Sequence, residues 1–404
     1  MAEALTITLK TLTPLWTGGA DGTSDRLHVT GLIGSLRWWY EAIVRGMGGY
    51  VCDPTSEDSK SRCEFDTKAY EQAKRDKKSD TEAVREGLKT VCPVCYVFGA
   101  TGWARLFQLQ TIDVPTTPLH FCTTLLMNQG WLKRIFGSTT QVPYGNVRFQ
   151  FVTRRQDENY AKSQFALILR VAAEYGGIGA RLQHGFGQVD PQLPSEMQVS
   201  IADGIKQLTA KLQPGELRSS GPRVETPFDF RNFVSLTYTV PDSALRDFVN
   251  ARFLVGTRPQ SASYLPCVFD LRYKSRGKWG MRQWLKQKGW KESAKEDQLS
   301  ELDLLLGPRS QWGPKGREKK IDEKLRTASR VFFGMPYQLP NGNYHLHVFG
   351  FAPPDLQSPD GKSLTPEAMR DLCNEYMRYV FGKVKPQNTI FGKDALNLAN
   401  GGRE

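Results

Sequence analysis

Residues 160–189 read YAKSQFALILRVAAEYGGIGARLQHGFGQV. Over 160–175 the apolar residues recur at helical spacing and predict an amphipathic helix. The chain then runs into Gly176, Gly177, Gly179, Gly185 and Gly187, and its last residues, FGQV, predict a short strand. This order decides the fold. A dinucleotide-binding fingerprint needs a strand before its glycines and a helix after them; here a helix precedes and a strand follows. The Lys-Ser/Thr ending of a P-loop is missing too. Glycine is costly in ordered backbone, so the cluster requires either positive φ angles or a close approach to the main chain. Arg181 and His184 sit between the glycine pairs. Loop N–H groups can cradle phosphate, an arginine forks two donors onto it, and a histidine stacks or hydrogen-bonds. A turn from helix to strand with no ligand would use the same glycines.

Working outward, 4–10 (ALTITLK) predicts a strand, and 30–49 (TGLIGSLRWWYEAIVRGMGG) a helix capped by Thr30 and stopped at Gly48 or Gly49. Arg37 and Arg45 lie off its apolar face. Residues 104–112, 119–126 and 146–153 predict strands. Strand, helix, insertion, strands, helix, glycine loop and strand together approach the split βαβ pattern. Prolines and mixed polar residues over 191–225 mark a domain boundary. Beyond it, 233–240 (FVSLTYTV), SYLPCVFDL, SRVFFGMPY and NYHLHVFGFA predict strands, 364–384 predicts a helix capped by Thr365 with Pro366 at its first position, and 305–327 predicts an exposed loop. His345 and His347 lie on one face of their strand and read as structural. The basic, aromatic segment 278–291 suits either RNA or a helix packing its tryptophans inward.

Seven cysteines in a chain with no secretion signal argue against disulfides. Cys52, Cys63, Cys92 and Cys95 bound a charged, helical insertion over 50–96. Their C-x2-C pair is half of a four-thiolate zinc site, which has no open position and is structural; ordinary buried thiols are the alternative. Lys and Arg number 54 against 42 Asp and Glu, a net charge of +12 that favours a polyanionic partner. No apolar run approaches the roughly 20 residues that span a bilayer, and the expected location is the cytoplasm. The loop at 13–28 leads into a helix N-terminus, where Arg26, His28 and Arg37 could add to phosphate binding. Trp38 and Trp39 suit core or interface better than base stacking. Asp21 and Asp25 in this loop suit turns better than metal-dependent cleavage.

The segments LTPLWTGG (12–19), TGLIGSLRWWYEAIVRGMGG (30–49), CPVCYVFGATGWARLFQL (92–109) and GGIGARLQHGFGQV (176–189) resemble the RAMP superfamily of CRISPR-associated proteins, and within it the first RAMP subunits of type III-B Cmr effector complexes. The resemblance is strong over 1–190 and loose beyond. It implies an α+β protein of two ferredoxin-like (RRM-like) domains, 1–195 and 196–404, with the cysteine-bounded insertion in the first. It implies a non-catalytic subunit that binds guide RNA near its 3′ region and target RNA, alongside other Cmr subunits. RNA contacts carry over onto Gly177, Gly179, Arg181, His184, Gly185 and Gly187 and onto Arg37 and its neighbours on that helix, Arg45 with them; Arg26 and His28 join the expected RNA-binding residues from the loop at 13–28. Two other readings stand beside it. One is a metal-independent RNA-processing endoribonuclease using His28; the other is a protein scaffold with incidental RNA contact.

Overall fold

A computed structural model describes residues 4–19, 24, 26–123, 136–154, 157–222, 226, 228–249, 254–255, 262–292, 299–308, 311–312, 318–319, 327–353 and 355–397. Its first half runs β1 (Ala4–Thr11), α1 (Val29–Gly46), α2 (Thr67–Arg75), α3 (Asp80–Leu88), α4 (Pro93–Phe98), β2 (Phe107–Asp113), β3 (Asn146–Thr153), α5 (Glu158–Tyr175), β4 (Val189–Gln192) and α6 (Ile201–Lys211). The sheet is antiparallel, in the order β2-β3-β1-β4. Leu5, Ile7 and Leu9 face Phe151, Phe149 and Val147 in register, and all six are buried. Side chains alternate across a strand, so the other face carries Thr6, Lys10, Gln108 and Gln110, all exposed. That face has no aromatic platform.

The helix α1 begins one residue before Thr30. His28 takes the cap position without a side-chain bond, and its N–H donates to Thr17 Oγ1 at 2.8 Å. The stop is at Gly48, φ +79, where the N–H groups of Gly48 and Gly49 tie back to the carbonyls of Arg45 and Val44. The helix α6 lies inside the stretch read as a boundary. Ser200 caps it by accepting from the Asp203 N–H, and Ile205 and Leu208 pack into the first core. The strand after the glycine loop starts at Val189, three residues later than FGQV suggests.

The second half runs β5 (Phe233–Val240), α7 (Asp242–Val249), α8 (Val268–Tyr273), α9 (Met281–Gln287), α10 (Glu301–Leu306), β6 (Val331–Phe333), β7 (Tyr344–Phe351), α11 (Pro366–Phe381), β8 (Pro386–Phe391) and α12 (Gly392–Asn397). Its sheet order is β6-β7-β5-β8, again antiparallel, with Tyr337–Gln338 added against β7. Thr365 caps α11 by accepting from the Ala368 N–H, with Pro366 in the first turn, as expected. SYLPCVFDL is not a strand: its end forms α8, with Phe269 and Leu271 buried in the second core. Of the expected exposed loop 305–327, Leu305 and Leu306 end α10 and are buried, and most of 309–326 lies outside the described residues. The expected strand 119–126 is paired over Phe121–Cys122, and 124–126 lie outside the described residues. In the basic segment, Trp284 and Trp290 go into the core.

The second sheet is covered on both faces. Val234, Leu236 and Val348 belong to its own core, while Phe233, Phe349 and Phe351 join the core of the first half. The Trp39 ring lies 5.7 Å from Phe233 and 6.2 Å from Phe349, and Trp38 lies 5.4 Å from Phe351. The paired tryptophans of α1 are therefore the seam between the halves.

Within this sheet, His347 Nε2 lies 2.7 Å from Ser235 Oγ, and burial with the neighbouring His345 pushes its pKa down to about 3. Its folded pKa is below its ordinary value, so its stabilising contribution is complete above about pH 6.5 and is lost as pH falls toward 3. Denaturant unfolding at pH 6.5, 5.5 and 4.5 is expected to give a shallower pH slope in His347→Gln than in wild type, by up to about 1.4 kcal/mol per pH unit. Equal slopes would show that His347 is already protonated or exposed.

Candidate functional site

Three sequence segments meet at the glycine loop. The Gly187 N–H donates to Pro14 O at 2.9 Å, the Ala180 N–H to Trp16 O at 2.7 Å, and the Gly179 N–H to Ser35 Oγ at 2.9 Å. Thr13 Oγ1 donates to Gly185 O and accepts from the Gln188 N–H. The loop after β1, the start of α1 and the loop after α5 are thereby one surface.

The close approach that the glycines permit is made by the protein's own chain. A Cβ on Gly187, φ +88, would stand 2.0 Å from Ile178 O; on Gly179, φ +90, it would stand 2.6 Å from Trp16 O. Gly185, φ +86, faces Met335 N at 2.6 Å, and its carbonyl accepts from that N–H. Gln188 Nε2 donates to Met335 O at 2.8 Å. The second glycine pair is therefore part of the joint with the second half.

Several of the expected RNA contacts lie inside the fold. His184 is buried, stacked on Phe269 at 4.9 Å, and burial with Arg272 and Arg181 nearby holds its pKa well below the usual histidine range. Such a ring cannot receive a base. Gly177, Gly185 and Gly187 are buried as well. Arg181 remains half-exposed, with its guanidinium 5.9 Å from the Trp16 ring. It adopts φ 60 and ψ 26, a left-handed conformation that costs an ordinary residue on the order of 1 kcal/mol and concentrates at functional sites. Arg26 is exposed and His28 half-buried beside the same loop. Asp21 and Asp25 lie outside the described residues.

Arg37 and Arg45 are not free to reach out. Glu41 accepts from Arg37 Nε at 3.0 Å and from Arg45 Nη2 at 3.2 Å, and Arg45 Nη1 donates to Phe228 O. Arg37 Nη2 also donates to Cys95 Sγ at 3.3 Å. Burial opposes the charge on Arg37, but Cys95 and Glu41 more than offset it and hold its pKa above the usual range.

Cys95 belongs to the second constellation. The Sγ atoms of Cys52, Cys63, Cys92 and Cys95 all lie within 4.8 Å of one another, and all four residues are buried. Cys52 comes from the turn after α1, Cys63 from the approach to α2, and Cys92 and Cys95 from the N-terminus of α4, where Pro93 fixes the first turn. Cys52 Sγ and Cys95 Sγ are 3.3 Å apart, too far for a disulfide at about 2.05 Å. The Cys92 N–H donates to Cys63 Sγ at 3.2 Å, and donors of this kind stabilise thiolates. The cluster can hold a metal ion.

The helix α4 is anchored on its far side. Tyr96 donates to Asp157, Lys211 pairs with Asp157 at 2.9 Å, and Tyr40 joins Tyr160 and Gln164 by hydrogen bonds. Sequence periodicity gave no sign of this network. Among the described residues, no helix is long and apolar enough to cross a membrane.

Residues 8–190 match the model of the RAMP superfamily. No curated protein is a significant match in sequence. Among solved structures, Cmr1 from Pyrococcus furiosus in its apo form is 12% identical, over 95% of this chain and 98% of that one, with a TM-score of 0.40. A chain of the type III-B Cmr-beta complex bound to cognate target RNA is 11% identical, over 94% of this chain and 100% of that one, with a TM-score of 0.42. A chain of a type IV-B CRISPR complex is 15% identical, over 48% of this chain and 91% of that one, with a TM-score of 0.28. At these scores the likeness is loose.

Proposed function

From residues 8–190, which belong to the RAMP superfamily, we propose a non-catalytic RNA-binding subunit of a type III-B CRISPR Cmr effector complex. Its RNA partners are the guide RNA near its 3′ region and the target RNA, and other Cmr subunits are its protein partners. We read each half as a ferredoxin-like unit, since both have β-α-β-β-α-β connectivity and the same strand order, with further helices and strands between. The divide between them falls after α6, which packs with the first half.

The observation that carries the reading is the joined surface of 12–19, 26–36 and 176–183, with Arg181 held in a left-handed conformation at its centre. RRM-type stacking is disfavoured, because one sheet face is polar and the other is covered by α1. Arg181, Arg26, His28 and the backbone at Gly179 are the proposed contacts. Arg37, Arg45, His184, Gly177, Gly185 and Gly187 shape and support the surface from within. The cysteine cluster is proposed as a structural zinc site. Four thiolates leave no open position, and its place is to hold the 50–96 segment against α1 and α4.

Single-stranded RNA binding over a salt series tests the reading. Arg181→Gly removes the cation and relieves the left-handed strain. It is expected to fold at least as stably as wild type, to bind RNA more weakly, and to lower the salt slope by about one. The RNA is expected to stay intact. An unchanged slope would remove Arg181 from the interface, and cleavage abolished by His28→Ala would establish the nuclease instead.

A further inference from the structure

A cavity of about 560 Å³ lies where the last turn of α1, the end of α6, the 217–219 segment and α12 come together. None of the proposed RNA contacts lines it. Four cations do: Lys211, Arg218, Arg231 and Lys393. No carboxylate is among the lining residues.

We propose that this cavity is a binding site for a nucleoside phosphate, either a free nucleotide or the phosphorylated end of an RNA strand. Two observations carry the proposal. The first is charge. Lys211, Arg231 and Lys393 are paired with Asp157, Asp229 and Glu367, all of which stand outside the lining. Arg218 has no carboxylate partner among the described residues. Its guanidinium donates to the carbonyls of Lys60, Arg62 and Ser220, and it lies 4.7 Å from the Tyr50 ring. Three carbonyls fix the fork in place without neutralising it, so the charge is ready for an anion. The carbonyl end of α1 would repel that anion, but the N–H groups of Met47, Gly48 and Gly49 tie up its last carbonyls.

The second observation is Tyr50. It is 8% exposed, it lines the cavity, and its hydroxyl has no hydrogen-bond partner. A buried hydroxyl left unpaired costs about 1–3 kcal/mol, so such a group marks a missing partner. The hydroxyl is closed off against Gly221, so a phosphate oxygen held by Arg218 supplies the bond once that contact opens. The volume is in the range of small-ligand sites, about 300–1,000 Å³, and suits one nucleotide. Thr209 and Gln213 offer further hydrogen bonds to a sugar or base.

Calorimetric titration of the full chain with AMP tests the site, with adenosine and inorganic phosphate as controls. AMP is expected to bind at one site, phosphate to compete, and adenosine not to bind. Arg231→Ala/Lys393→Ala is expected to weaken AMP binding by more than about 10-fold, and Tyr50→Phe by about 3- to 10-fold. Tyr50→Phe removes only an unpaired hydroxyl, so it leaves folding intact. Arg181→Gly is expected to have no effect, which separates this site from the glycine-loop surface. A 5′-phosphorylated RNA that displaces AMP, where its 5′-hydroxyl form does not, identifies an RNA end as the occupant. Failure of both RNAs to displace AMP identifies a free nucleotide. The proposal is overturned if AMP does not bind and the two RNAs bind alike, or if neither variant changes AMP binding.

Discussion

Cys92→Ser is expected to lose the bound zinc and to lower the melting temperature by on the order of 10 °C. Metal analysis of the wild-type chain is expected to find one zinc per molecule, and the variant close to none. The size follows from where the cluster sits. Its four sulfurs join the turn after α1, the approach to α2 and the start of α4, which Arg218 also links through the Tyr50 ring and the carbonyls of Lys60, Arg62 and Val91. The helices α2 and α3 between them bury little: only Ala73 of α2, and Ala83, Gly87 and Leu88 of α3. A segment with so small a core depends on the metal for its fixed place, and loss of a structural metal is among the few changes that cost more than about 4 kcal/mol. For a domain of this size each kcal/mol moves the melting temperature by about 2–4 °C. Arg37 adds to the effect. Its Nη2 bonds to Cys95 Sγ, so losing the thiolate cluster leaves a largely buried guanidinium with Glu41 alone. Zinc absent from the wild type, or a Cys92→Ser melting temperature within about 2 °C of it, would make the four cysteines ordinary buried thiols.

How much of this was legible in the sequence depends on the kind of interaction. Alternation placed β1 and β3 closely, because one face of each strand meets a core and the period is two; β5 and β7 were placed as closely although their sheet is covered on both faces. The helix α5 was legible for the same reason at a period of 3.6. The end of SYLPCVFDL misled because a short apolar run has no period that separates a strand from a buried helix; Cys267, Val268 and Phe269 are all buried in α8 and its cap. The helix α6 was missed although Ser200, Asp203, Ile205 and Leu208 carry its signals. The prolines on either side outweighed them. The cysteine cluster was legible by spacing, but the hydrogen bond from Arg37 was not, since nothing in a sequence shows that a helix 58 residues earlier will pass the site. The orphan hydroxyl of Tyr50 was equally invisible, because it exists only once the chain has closed around it.

The glycine loop shows the limit most plainly. Sequence could say that something approaches the backbone there, not whether it is RNA or the protein itself, and Gly187→Ala separates the two. At φ +88 an alanine adopts a left-handed conformation that costs about 1–2 kcal/mol. Its Cβ would also stand 2.0 Å from Ile178 O, a backbone atom that cannot turn aside as a side chain could. Ile178 N and Gly187 O are hydrogen-bonded at 2.9 Å, and the Gly187 N–H is bound to Pro14 O. Relieving the clash means breaking these bonds and pulling the loop from both β1's exit and the second half. The expected destabilisation is therefore more than about 4 kcal/mol. Gly48→Ala is the control: φ is +79 there too, but nothing lies within 4 Å of the added Cβ, so only the conformational cost of about 1 kcal/mol remains. Thermal unfolding of the two variants is expected to differ by on the order of 10 °C. A Gly187→Ala protein as stable as Gly48→Ala but unable to bind RNA would reverse the assignment, because the space would then belong to the ligand.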